Sequence, residues 1–231
     1  LNGILDAYFG KMPETFTVNG KSYTPKSWME ACQIDPQKYV QLTSFTHHPF
    51  YEKFVLEIPD NWTASQTYNV PLDVLQQVID SSLEAGYAVN WAADVSEKGF
   101  VFNKGFAIVP VTDVEEISGS DRVRWANLTE EEVKKMSQGP TGLTPEKSIT
   151  QQMRQEAFDN YETTDDHGML IVGIAEDQQG HRFYKVKNSW GDKGLYKGYL
   201  YVSVPYVLYK TTAIMVNKDS IPQEVKTKLG L

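Results

Sequence analysis

The sequence predicts an α+β fold, with helical segments in the first two thirds and a β-rich last third. Apolar residues three and four positions apart between residues 69 and 86 favour a helix, whereas four later runs are rich in β-branched and aromatic residues. Because the helices precede the strands instead of alternating with them, the pattern favours α+β over a parallel α/β sheet. The four β-rich runs are residues 169–175, 182–187, 199–204 and 212–216.

Two of the helices are predicted from their start and stop signals. Thr24-Pro25 places an N-cap before a proline at the first helical position, and it opens a helix over residues 26–34. The helix over residues 69–86 has Pro71 near its start and Gly86 at its C-terminal end, where a left-handed residue is common. Its apolar residues fall on one face, as they do in a helix that packs against a core. These are Leu72, Leu75, Ile79 and Leu83.

The segments between and after these helices are mixed. Aromatic residues with a weak alternation fill residues 39–59, which is typical of a strand or of an extended packing loop. Residues 87–94 and 106–111 are predicted strands. A capping box at residues 129–132 and a Thr-Pro pair that opens residues 144–160 predict two further helices.

Length and charge limit the domain organisation and the class of partner. The chain has 231 residues and a net charge of 22 − 30 = −8, which gives no electrostatic reason to bind nucleic acid. We expect residues 1–160 to form a helical and mixed segment and residues 161–231 a β-rich segment, together making one structural unit. No apolar run approaches the roughly 18–20 residues that span a bilayer, so a membrane partner is not expected either.

The cysteine and histidine content argues against a metal site. A single cysteine, Cys32, rules out an internal disulfide and a cysteine-rich zinc site. The pair His47-His48 suggests metal ligation, but neighbouring residues on an extended chain point to opposite faces and do not easily chelate one ion. The acidic run at residues 130–132 is better explained by carboxylates at a helix start than by calcium binding. We therefore expect no metal and no cofactor.

Two short blocks in the β-rich segment carry the candidate chemistry. The block Thr163-Thr164-Asp165-Asp166-His167-Gly168-Met169 enters one strand, and Val186-Lys187-Asn188-Ser189-Trp190-Gly191 leaves the next. If these strands form a hairpin, His167 and Asn188 lie side by side at one end of the sheet. An imidazole held by an uncharged amide keeps its other nitrogen free to exchange a proton, as a general base beside a thiol nucleophile requires. Trp190 can cover that hydrogen bond, and Gly191 allows the turn that brings the indole back.

These blocks resemble the histidine and asparagine motifs of papain-like cysteine peptidases, and the wider match is to the aminopeptidase C and bleomycin hydrolase family. The match also takes in Tyr23-Thr24-Pro25 and residues 69–73 and 94–99. The resemblance implies a papain-like cysteine peptidase fold, of which this chain is mainly the antiparallel β-barrel-like half with flanking helices. It also implies roles for three residues: His167 as general base, Asn188 as its orienting partner and Trp190 as the shield of their contact.

The nucleophile that the resemblance requires has no match here. In the family the cysteine lies N-terminal to the histidine, in a Gly-x-Cys-Trp type motif at the start of a long helix. Cys32 has no neighbouring glycine or tryptophan, and it falls in the second half of a short predicted helix, away from the positive helix end that stabilises a thiolate. We therefore expect Cys32 to be a small buried residue, with no nucleophile in this chain and the helix-bearing nucleophile half missing.

The function implied by the resemblance is that of a cysteine-type peptidase acting on peptides. Its catalytic cysteine would come from a missing N-terminal part or from a separate chain, so this chain alone is predicted to be inactive. The alternative is a catalytically inactive papain-like module that serves binding or assembly. Homo-oligomer formation stays open, and we expect a cytoplasmic location, with export after signal removal as the alternative. We also expect an exposed apolar surface on the side that bears His167 and Trp190, where the other part would pack.

Overall fold

The structure, a computed structural model, describes residues 1–111 and 145–231. Contacts divide this part of the chain into two units, residues 1–39 and residues 40–231. Strands from both sides of residue 160 join one sheet in the second unit. The division at residue 160 stays a prediction from the sequence pattern. The capping box at residues 129–132 lies outside the described residues.

The unit of residues 1–39 contains two short helices and a two-stranded hairpin, and none of its residues is buried. The rings of Phe16, Tyr23 and Trp28 pack together, with the last two in an edge-to-face contact at 4.9 Å between centroids. Thr24 caps the second helix as predicted, since its side chain accepts from the backbone N–H of Ser27. The elements are α1 (Asn2–Phe9), β1 (Phe16–Val18), β2 (Lys21–Tyr23), α2 (Pro25–Ala31) and a 3₁₀ turn (Pro36–Lys38).

The unit of residues 40–231 is built on a ten-stranded sheet flanked by helices, so the predicted α+β class is confirmed. The strand order is β4-β5-β3-β12-β6-β9-β10-β11-β8-β7. The pairs at its centre are antiparallel, whereas β3–β5 and β8–β11 are parallel. Its strands are β3 (Tyr39–Thr43), β4 (Lys53–Val55), β5 (Gln66–Asn69), β6 (Val89–Ala93), β7 (Phe100–Val101), β8 (Phe106–Ala107), β9 (His167–Glu176), β10 (Arg182–Lys187), β11 (Tyr199–Ser203) and β12 (Thr211–Asn217).

The helix predicted over residues 69–86 is present and packs its apolar face inward. It buries Leu75, Val78 and Ile79 completely, and Gly86 follows its end with a φ of 81°, as expected of a left-handed C-terminal residue. The helices that the structure describes in this unit are α3 (Leu72–Glu84), α4 (Gln151–Asp159), α5 (Val204–Lys210) and α6 (Gln223–Leu229), with 3₁₀ turns at Phe102–Lys104 and Lys218–Ser220.

The helix predicted over residues 144–160 begins later than expected. Thr150 is its N-cap, and its side chain accepts from the backbone N–H of Met153. The residues before it are extended because their backbone pairs with another segment: the carbonyl of Pro145 accepts from Val111 N–H, and Lys147 N–H donates to the carbonyl of Val109. These long-range hydrogen bonds outweigh the local helix signal of the Thr-Pro pair.

Helix α4 carries a buried arginine that has no carboxylate partner in the part of the chain that the structure describes. The Nε of Arg154 donates to the carbonyl of Ser44 at 2.7 Å, and Nη1 donates to the carbonyl of Leu208 at 3.0 Å. The guanidinium also lies over the ring of Phe45, 4.5 Å from its centroid. Leu208 is in the last turn of α5, whose carbonyl end carries partial negative charge. Burial lowers the pKa of Arg154, and these acceptors offset part of the cost of its charge.

Candidate active site

Strand register places His167 and Asn188 at the same end of the sheet. Strands β9 and β10 form the predicted antiparallel hairpin, in which Leu170 pairs with Lys187 and Ile171 with Val186. Since His167 is the first residue of β9 and Asn188 directly follows β10, the two side chains meet at the open end of the hairpin. The proximity expected from the two motifs is confirmed.

The hydrogen bond between them has a defined direction. His167 Nε2 lies 2.9 Å from Asn188 Oδ1, and the backbone N–H of Ser189 donates to the same oxygen at 2.7 Å. Because a backbone N–H only donates, the atom facing it is the amide oxygen, and an amide oxygen only accepts. His167 therefore donates from Nε2. Its Nδ1 has no hydrogen bond within residues 1–111 and 145–231, and in the neutral ring this nitrogen carries the lone pair.

Trp190 packs against the imidazole. Its ring centroid lies 5.1 Å from that of His167, and the rings of Phe100 and Phe102 contact its other edges at 6.4 and 4.8 Å. Asn188 is 1% exposed, whereas Trp190 is 41% exposed. The indole thus packs on the imidazole, and the two phenylalanines, which the sequence motifs did not single out, contact it.

The loop after Asn188 is held by a close approach of two glycine backbones. Gly191 has a φ of 67° and Gly198 a φ of 87°. The carbonyl of Gly198 accepts from Asn188 N–H at 2.9 Å, and a Cβ on Gly198 would overlap the carbonyl oxygen of Gly191. Glycine at position 198 therefore allows the close approach to Gly191, and its carbonyl ties the two ends of the loop together through Asn188 N–H.

We expect Gly198→Ala to destabilise the protein by roughly 3 kcal/mol, measured by urea unfolding, because the new methyl group displaces Gly191. The matched control is Gly180→Ala, at a φ of 84° with no atom within 4 Å of the added Cβ. That variant carries only the left-handed backbone cost of about 1 kcal/mol. Equal losses for the two variants would show that the close approach to Gly191 contributes nothing.

The acidic residues before His167 bind neighbouring groups. Asp165 accepts from the hydroxyl of Thr212, and burial raises the pKa of its carboxyl group. Burial also acts to raise the pKa of Asp166, but hydrogen bonds from the hydroxyl of Thr164 and the backbone N–H of Val95 oppose it, and that pKa lies below its ordinary value. Both carboxylates thus accept hydrogen bonds that hold the loop that leads into β9.

Cys32 lies in the other unit, and the expectation that it is buried is wrong. It is exposed and occupies the C-cap position of α2, where its backbone N–H donates to the carbonyl of Trp28. A seven-residue helix leaves little surface to cover its own end, so the thiol reaches solvent. The C-terminal end of a helix is its negative end, which does not stabilise a thiolate.

The expectation that His47 and His48 point to opposite faces is wrong, because the pair lies in a turn and the two rings contact each other edge to face, 4.8 Å between centroids. His47 stacks on Phe158 and its Nδ1 lies 3.2 Å from Gln155 Nε2, whereas His48 stacks on Phe54. No group of three or more potential metal ligands occurs among residues 1–111 and 145–231. In the same two ranges, no helix has the length and apolar character needed to cross a membrane.

The sequence and the fold are similar to those of known proteins. A family model described as the Peptidase C1-like family matches residues 146–230. Aminopeptidase W of Lactobacillus delbrueckii subsp. lactis is 23% identical over 236 residues, which cover 96% of this chain and 47% of that protein. Bleomycin hydrolase of Rattus norvegicus is 26% identical over 160 residues, 68% of this chain and 29% of its own length. The crystal structure of PepW from Lactobacillus rhamnosis HN001 matches with a TM-score of 0.67 and 18% identity, over 99% of this chain and 48% of that chain.

The chain is similar to members of the aminopeptidase C and bleomycin hydrolase family, and its fold is the papain-like α+β fold. It spans about half the length of the aminopeptidase that it matches, since 47% of Aminopeptidase W is covered.

Proposed function

We propose that this chain supplies the general base and the orienting amide of a cysteine peptidase that acts on peptides. The hydrogen bond from His167 Nε2 to Asn188 Oδ1 is the observation that carries the proposal. It fixes the ring through one nitrogen and leaves Nδ1 for a proton that moves during the reaction. Trp190 covers the bond, which limits the access of competing water.

In the proposed reaction His167 serves as acid and then as base. A cysteine thiolate attacks the peptide carbonyl carbon, and the C–N bond breaks as protonated His167 gives the Nδ1 proton to the leaving amine. The product is a thioester. Neutral His167 then takes a proton at Nδ1 from a water molecule that attacks the thioester, and the C–S bond breaks to release the acid and the thiolate.

The thiolate in this proposal comes from outside the 231 residues, from an N-terminal part of the same protein or from a separate chain. Two observations support this: the match to only 47% of Aminopeptidase W, and the position of Cys32 at a helix C-terminus. Apolar side chains exposed in the loop after Asn188 offer a surface for that part. They are Trp190, Leu195 and Tyr196, at 41, 61 and 42% exposure.

A second function is favoured by the same cysteine content. A papain-like module without a nucleophile would serve binding or assembly, and Cys32 is the one cysteine in the sequence. The complete set of His167, Asn188 and Trp190 favours the peptidase, because a binding module has no need of a base, its orienting partner and the shield together.

The test compares residues 1–231 with the full-length gene product on aminoacyl fluorogenic substrates. We expect no turnover from residues 1–231 alone, and turnover from the full-length product that iodoacetamide abolishes. A Gly-x-Cys-Trp block encoded upstream of Leu1 would agree with the peptidase. A full-length product that contains no such block and shows no turnover would favour the binding module. Turnover by residues 1–231 that is lost in Cys32→Ser would place the nucleophile in this chain.

A further inference from the structure

Asp94, directly after β6, is a fully buried carboxylate whose two oxygens accept three hydrogen bonds. Oδ1 accepts from the backbone N–H and from the hydroxyl of Ser96, each at 2.8 Å. Oδ2 accepts from the backbone N–H of Thr164 at 3.0 Å, across 70 residues of sequence. The carboxylate therefore joins the end of β6 to the segment that leads into β9.

This junction lies beside His167. In the β6–β9 ladder Ala93 pairs with His167, so Asp94 and Asp166 are the next residues along. The contact is reciprocal, because Asp166 Oδ2 accepts from the backbone N–H of Val95 at 3.4 Å. Each segment thus places a carboxylate on a backbone N–H of the other.

The backbone of Asp94 is held as firmly as its side chain. Its N–H donates to the carbonyl of Lys210, and its carbonyl accepts from the hydroxyl of Tyr206, both at 3.0 Å. Lys210 is buried and forms an ion pair with Glu97. The backbone and the side chain of Asp94 are therefore both held in place, and the groups that bond to Asp94 are held with them.

We propose that Asp94 is a positioning residue for His167, through its hydrogen bond to Thr164. Strand β9 pairs with β6 from His167 onward but with β10 only from Leu170. The first residue of β9 is thus held by the ladder on one side, and strand ends held in this way open most easily. The bond from Thr164 N–H to Asp94 fixes the preceding segment and keeps the imidazole in reach of Asn188.

The role requires a carboxylate, because the three groups that bond to its oxygens within the described residues all donate. An asparagine that kept its oxygen toward Ser96 would turn its NH₂ group against Thr164 N–H, a contact between two donors. Asp94 and Glu97 form no hydrolytic carboxylate pair, since Asp94 is buried with both oxygens engaged and Glu97 binds Lys210. Asp94 acts through the loop and touches no substrate.

The catalytic meaning of this inference rests on the proposed function, but its test needs no turnover. In the ¹⁵N-labelled chain, NMR measures how fast the Nε2–H proton of His167 exchanges with water; His167→Gln identifies the signal. We expect Asp94→Asn to speed this exchange by about ten-fold or more, since a charge-assisted hydrogen bond to the loop is lost. The matched control is Ser96→Ala, which removes one bond to Asp94 and leaves the bond from Thr164 intact; here we expect less than about two-fold change.

An unchanged exchange rate in a folded Asp94→Asn protein would overturn the proposal, and so would an equal acceleration in Ser96→Ala. If Asp94→Asn fails to fold, protection factors in the unmodified chain decide. If the hydrogen-exchange protection factor of the Thr164 amide lies within about ten-fold of that of His167 Nε2–H, the hydrogen bonds of these two groups open together. A Thr164 amide protected more than ten-fold less would contradict the role. An inactive full-length product would count against the proposed function and leave this result standing.

Discussion

Replacing His167 by glutamine in the full-length gene product is expected to lower kcat on a peptide substrate by roughly 10⁴-fold or more. Glutamine keeps a group that can donate to Asn188 Oδ1, so the local packing is largely preserved. It has no nitrogen that can take and return a proton, so both steps assigned to Nδ1 are lost. Steady-state kinetics with an aminoacyl fluorogenic substrate measure the effect, and KM is expected to change far less than kcat, because the ring acts on the reacting atoms.

The chain offers a matched control in His181. This residue lies in the β9–β10 turn, where its Nδ1 pairs with Asp177 at 2.8 Å, and 60% of its side chain is exposed. His181→Gln makes the same chemical change at the far end of the same hairpin, and we expect kcat to stay within about two-fold. A His167→Gln enzyme as active as His181→Gln would contradict the assignment of the general base.

The largest effect on stability is expected at Trp91. This side chain is fully buried in β6, and its indole N–H donates to the hydroxyl of Thr211 at 2.7 Å. Its neighbours in the ladder are Ile214 of β12 and Met169 of β9. Trp91→Ala leaves a cavity at the centre of the sheet and removes the donor to the Thr211 hydroxyl, which keeps its own bond to the carbonyl of Val207. We expect the free energy of unfolding to fall by about 3–5 kcal/mol.

Urea unfolding followed by far-UV circular dichroism measures this loss. The control is Trp62→Ala, because that side chain is 86% exposed, and a change within about 0.5 kcal/mol is expected. The same residue type is removed in both variants, so the difference reports burial. Similar losses at both positions would mean that Trp91 does not pack as the sheet register implies.

Elements with strong local signals were predictable from the sequence. Strand β10 has the predicted bounds, and the helix over residues 69–86 has its apolar face and its C-terminal glycine where expected. The meeting of His167 and Asn188 followed from the alternation of two neighbouring strands, because a hairpin brings their outer ends together. In each case residues close in sequence determine the result.

Features that depend on distant partners were not predictable in this way. Residues 145–150 carry a helix signal, but the backbone of residues 109–111 competes for their hydrogen bonds. Arg154 occupies a polar helix and is buried because carbonyl groups from two other segments accept from it. The bond between Asp94 and Thr164 crosses 70 residues, and no periodicity carries that information.

In the β9–β10 hairpin, the turn can vary in length, whereas the paired strands that lead to His167 and Asn188 cannot. Its turn, between Glu176 and Arg182, lies nine residues along β9 from His167, or about 30 Å in an extended strand. The register between the strands, and not the turn, sets the distance from His167 to Asn188. An epitope tag or a spectroscopic label inserted between residues 178 and 180 would therefore report on the hairpin from outside, with the imidazole and the amide still side by side.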